Sequence, residues 1–100
     1  MLQSKNATLS TTSTTLFTVA SGHEAMVMGT RIYGGQNGGI VTLTKNNGSS
    51  DVFTEKYSVG PGDVLGIDAK SAFPAGYSLK AVSDAAGVQI DVCMDDSEVA

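Results

Sequence analysis

The sequence predicts an all-β protein, a single antiparallel β-sandwich of jelly-roll or immunoglobulin-like type with seven to eight short strands. Three observations lead there. Turn-forming clusters recur at Ser21-Gly22, Asn37-Gly38-Gly39, Asn46-Asn47-Gly48, Gly60-Pro61-Gly62-Asp63, Pro74-Ala75-Gly76 and Ala86-Gly87, leaving stretches of strand length and no room for a long helix. The stretches between them are rich in Val, Ile, Thr, Tyr and Phe, which suit a pleated surface. The length of 100 residues is that of one domain with one core. A chain of this size buries only roughly 60–65% of its unfolded surface, so association with other subunits can add materially to its stability.

Residues 1–12 read as an N-terminal arm or edge strand. Their Thr/Ser-rich stretch "ATLSTTSTTLFT" lacks Pro and favours an edge strand, with an arm that pairs with a neighbouring chain as the alternative. The sandwich itself spans 13–95. Its strands are expected in "TTLFTVA" (14–20), "EAMVMGTRIY" (24–33), "IVTLTK" (40–45), "DVFTEKYSV" (51–59), "DVLGIDA" (63–69), "YSLKAVS" (77–83) and "GVQIDVCM" (87–94).

In the last strand Val88, Ile90, Val92 and Met94 alternate with Gln89, Asp91, Cys93 and Asp95, so one face meets the core and the other water. Phe53, Tyr57 and Val59 share a face in 51–59, with Glu55 the exception. The segment 77–92 reads as a terminal hairpin closed by Asp84 to Gly87. Residues 96–100 read as a mobile acidic tail.

One strand is apolar on both sides. In 24–33, Met26, Met28 and Ile32 lie on one face and Ala25, Val27 and Tyr33 on the other. In a two-layer sandwich the second apolar face suits a partner subunit, which makes Ala25, Val27 and Tyr33 the candidate subunit interface.

Composition excludes several functions. Lys5, Arg31, Lys45, Lys56, Lys70 and Lys80 are scattered among ten carboxylates, net −4, whereas nucleic-acid binding needs clustered cations. No partner of that kind is expected, and no membrane: nothing approaches 18 consecutive apolar residues, and the polar N-terminus lacks the apolar region of a signal peptide. Cys93 is the single cysteine, consistent with synthesis in a reducing cytoplasm.

Groups that could carry chemistry are sparse. His23 has no orienting partner by adjacency, since Glu24 points to the opposite face of a strand, and it reads as an exposed turn residue. Asp91, Cys93 and Asp95 share a strand face but form a mixed hard and soft set that suits solvent better than a metal. Asp95, Asp96 and Glu98 lack the order of a calcium loop. "YGGQNGGI" (33–40) has neither the spacing nor the following helix of a phosphate cradle and reads as a flexible loop tip. The sequons at Asn6 and Asn47 have no secretory context. No enzymatic activity and no cofactor or metal are expected. Without Trp, a carbohydrate site would depend on Tyr33, Tyr57 or Tyr77.

"TTLFTVASGHEAMVMGTRIYGG", "YSVGPGDVLGI" and "FPAGYSLKAVSDAAGVQIDV" resemble the strands and turns of small β-sandwich virion structural proteins of tailed bacteriophages, over roughly 7–95. Ala20-Ser21-Gly22 replaces the Val-Pro-Ala-Gly-like turn of that group, and Pro61-Gly62-Asp63 adds a rigid turn. The resemblance implies a head decoration, or cement, protein: a homo-oligomer, trimer favoured, made in the bacterial host cytoplasm and placed on the virion's capsid surface against the major capsid protein. Its arm and its glycine loop, which conform to a partner at low steric cost, then become the candidate capsid contacts, through Leu2, Leu9, Gly34, Gln36 and Asn37. A tail, baseplate or fibre-attachment module and a carbohydrate-binding sandwich are the alternatives.

Overall fold

Residues 1–99 are described by a computed structural model. They form nine strands: β1 (Leu2–Thr8), β2 (Thr14–Thr18), β3 (His23–Tyr33), β4 (Gly39–Asn46), β5 (Asp51–Val59), β6 (Val64–Ile67), β7 (Ser71–Phe73), β8 (Ser78–Ser83) and β9 (Gln89–Glu98). One sheet has the order β1-β9-β3-β6, with β7 also paired to β3, and the other has the order β2-β8-β4-β5. All pairings are antiparallel. Only β4–β5 and β6–β7 are connected within a sheet, and every other link crosses between layers. Of the two expected sandwich types, that connectivity is the jelly roll.

The count exceeds the expected seven to eight because β1 is a full strand and 64–73 forms two. β6 pairs with Thr30 to Tyr33 and β7 with Ala25 to Val27. They are successive pieces of one edge, interrupted at residues 68–70, beside the bulge in β3.

That bulge corrects the interface expectation. The β3–β9 register steps from Val27↔Met94 to Gly29↔Cys93, so Met28 is an extra residue and the in–out alternation reverses across it. Counting back from the inward Ile32 in steps of two puts Ala25 and Val27 outside, but the inserted residue puts them inside, where both are buried. Met26, Arg31 and Tyr33 point outward.

From Val88 into β9 the chain alternates as its sequence predicts, with Val88, Ile90, Val92 and Met94 buried and Gln89, Cys93 and Asp95 exposed. It continues further than expected. Asp96 to Glu98, expected in the tail, pair with His23 to Ala25, and the Asp96 carboxylate lies 2.9 Å from Nδ1 of His23. His23 therefore opens β3 half-buried instead of standing free in a turn. Ala100, the last tail residue, lies outside the described residues.

The expected terminal hairpin is a crossover. β8 and β9 lie in different sheets, and Asp84 does not turn the chain on itself. It accepts the Ile40 N–H through Oδ1 at 2.7 Å, while its own N–H donates to the Ile40 carbonyl. The link then runs to Gly87 and Val88, whose backbones bond Leu9. Core side chains come from both layers, and Phe17 of β2 meets Phe73 of β7 edge to face at 5.0 Å between centroids.

Candidate interaction surfaces

The expected contact residues divide by burial. Leu9 is 1% exposed; with its N–H and carbonyl bonded to Val88 and Gly87, it plugs the core and has no surface to offer a capsid. Leu2 is 66% exposed, but as part of the paired strand β1 and not of a free arm.

The glycine loop 34–38 is also unlike its expectation. Gly34 and Gly35 are buried, and the Gly34 N–H donates to the Asp63 carbonyl while Gly62 donates to that of Gly35. A Cβ on Gly34 would stand 2.0 Å from the Gly60 carbonyl oxygen, so this is a tightly interlocked pair of loops, and Gly34 cannot touch a partner. Gln36 and Asn37 alone face solvent there.

The outer face of the β1-β9-β3-β6 sheet collects polar groups that sequence order scatters. Across neighbouring strands Asn6 is opposite Asp91, Asp91 opposite Arg31, and Arg31 opposite Gly66. Asp91 Oδ1 accepts from the Ser4 hydroxyl at 2.6 Å and Oδ2 from Arg31 Nη2 at 3.0 Å. The Ser4 bond and then the Arg31 guanidinium hold the Asp91 carboxyl below the usual range. One residue pair along, Gln89 is opposite Tyr33 and Tyr33 opposite Val64. Tyr33, 41% exposed, is thus on the surface, but without Ala25 and Val27. Two adjoining depressions of about 510 and 610 Å³ share Ser4, Arg31 and Asp91.

The flanks of the sandwich differ. β1 and β2 touch on one side. On the other, β5 and β6–β7 leave a cleft of about 260 Å³ reaching Leu43, Phe73 and Leu79, with Phe53, Glu55 and Tyr57 on its wall. Glu55, the exception in the strand pattern, shares that inward-turned side of β5, and its carboxylate accepts the Tyr57 hydroxyl. Lys45 lies over the Phe73 ring, 4.6 Å from its centroid, and donates to the Ala72 carbonyl. Phe53 and Val52 are 58% and 47% exposed on this unpaired edge.

No family model matches the chain, and no curated protein matches it significantly. The fold has a counterpart among solved structures. It is similar to a chain from a structure described as "Bacillus endospore appendages form a novel family of disulfide-linked pili", with a TM-score of 0.64 and 15% identity, covering 100% of this chain and 87% of that one. At that identity the likeness establishes the β-sandwich fold and carries no residue across. Among the described residues, no three His, Cys, Asp or Glu side chains group as metal ligands.

Proposed function

We propose that this chain is a non-enzymatic structural protein that works by assembling with other subunits, and that its form is a capsid decoration protein on a phage head. The observation that carries assembly is the edge strand β5. It is nine residues long, contains no Pro, and carries Val52 and Phe53 exposed beside an open cleft. An edge of that kind is a template for an added strand unless it is covered. The decoration reading draws on the strand-and-turn resemblance described above. A protein that binds only the assembled shell stabilises it by mass action, and many equivalent sites make a modest affinity per site sufficient.

A filament subunit is the second reading, favoured by the pilus structure with which the fold is shared. The geometry is compatible: β1 and β5 are edges of different sheets on opposite flanks, and head-to-tail contacts that do not close propagate.

Light scattering, electron microscopy and binding to purified phage shells lacking the protein separate the outcomes. Masses well above the 10.2 kDa of the chain are expected at high micromolar concentration, falling to monomer when Val52→Lys and Phe53→Lys are combined. Saturable shell binding selects decoration, and ordered fibres select the filament. A strict monomer that neither binds shells nor forms fibres overturns the proposal.

A further inference from the structure

Gly66 has no structural reason to be glycine. It lies within β6, its φ is not positive, and a Cβ built there meets nothing within 4 Å. Glycine in a strand interior weakens the strand, and it recurs where a ligand approaches the backbone closely. Here it leaves the surface low directly opposite Arg31, in one of the two depressions on the outer face, the one that meets its neighbour at Ser4, Arg31 and Asp91.

Beside that gap three polar side chains are already joined to one another. Asp91 is held from two sides, by Ser4 and by Arg31, and a carboxylate so placed still has free lone pairs, while the guanidinium keeps most of its five N–H donors. The amides of Asn6 and Gln89 line the adjoining depression, which shares Ser4, Arg31 and Asp91 with the one that Gly66 lines, each offering a donor and an acceptor. Tyr33 lines it too, and its ring is exposed. Adjacent donors and acceptors on planar groups beside an aromatic face match the paired hydroxyls and apolar C–H face of a sugar ring. Charge narrows the choice: Arg31 is the one cation lining either depression, against Asp68 and Asp91, so a polyanionic glycan is disfavoured.

We infer that the outer face of the β1-β9-β3-β6 sheet is a binding site for a neutral oligosaccharide, seated on Tyr33, hydrogen-bonded by Arg31, Asp91 and the amides of Asn6 and Gln89, and admitted by the missing side chain of Gly66. The site is separate from the β5 edge and stands whether or not assembly uses that edge.

The test is titration calorimetry of the full chain against neutral hexasaccharides built from glucose, xylose, mannose and galactose, with a heparin hexasaccharide as the anionic probe. Saturable binding of at least one neutral sugar is expected, weakened about tenfold or more by Asp91→Ala or Tyr33→Ala. Gly66→Leu, which fills the gap, should abolish it. Backbone amide shifts on the unmodified protein provide a readout independent of variant folding, and changes should concentrate at Ser4 to Thr8, Arg31 to Tyr33 and Gln89 to Cys93. The double variant Val52→Lys, Phe53→Lys should bind as the parent does, so failure of assembly and failure of this site are distinguishable. Absence of binding to every neutral sugar, binding of heparin alone, or shifts centred on the β5 flank each overturn the inference.

Discussion

Tyr57 reports on the open flank of the sandwich. Its phenol is pushed up to about 12, first by the hydrogen bond it donates to Glu55, then by burial, then by repulsion from the same carboxylate. Because the folded pKa lies above the ordinary value of about 10, the neutral phenol favours the folded state. That contribution is complete below about pH 10 and disappears as pH rises through 12. Ultraviolet titration should therefore find Tyr57 ionising near pH 12 and Glu55→Gln moving it down toward 10. Ionisation at 10 in the parent would mean that the bond is not formed. Glu55 was visible in the sequence as a break in alternation, but its role was not, because pattern gives the side of the strand and not the neighbour found there.

At the scale of elements, glycine loops divide into those that bend and those that let two loops touch. Gly34 is of the second kind, since the obstacle to a side chain is the carbonyl of Gly60 and a backbone group cannot swing aside. Gly34→Ala should cost about 1–3 kcal/mol as an overpacked contact, measured by urea unfolding, whereas Gln36→Ala at the exposed tip should stay within about 0.5 kcal/mol. Equal effects would mean that the loops are not interlocked.

Strands β2 to β5, β8 and β9 were legible because their composition and turn boundaries are local properties. Two features were not. The bulge at Met28 has no local marker, and it inverted the reading of Ala25 and Val27. The link from Asp84 to Gly87 carries the same turn residues whether the next strand pairs alongside or crosses to the other layer, and only the partner of Asp84, Ile40, decides. Of the three residues expected at a subunit interface only Tyr33 is exposed, and the grouping of Asn6, Arg31 and Asp91 rests on pairings between β1, β3 and β9 that no short stretch encodes.

At the scale of the molecule, the connections decide how it folds. β1 pairs with β9 and β3 with β9, joining the two ends of the chain, and most links cross between sheets. Little of this structure can form locally, and loop closure must precede the contacts that reward it. Refolding from urea should take milliseconds to seconds, as for other sandwiches of non-local topology. A stopped-flow measurement checks this, and relaxation within microseconds would contradict the topology.

The placement of Cys93 makes the molecule its own reporter. The sole thiol is exposed and stands on an interior strand of the outer face, opposite Ser4 on one side and Gly29 on the other. A maleimide dye would attach at a single defined point, within the depression shared by Arg31 and Asp91 and on the opposite layer from β5. Its emission would respond to an occupant of that face, and energy transfer between labelled copies would give the spacing of subunits in an assembly, without any residue being engineered.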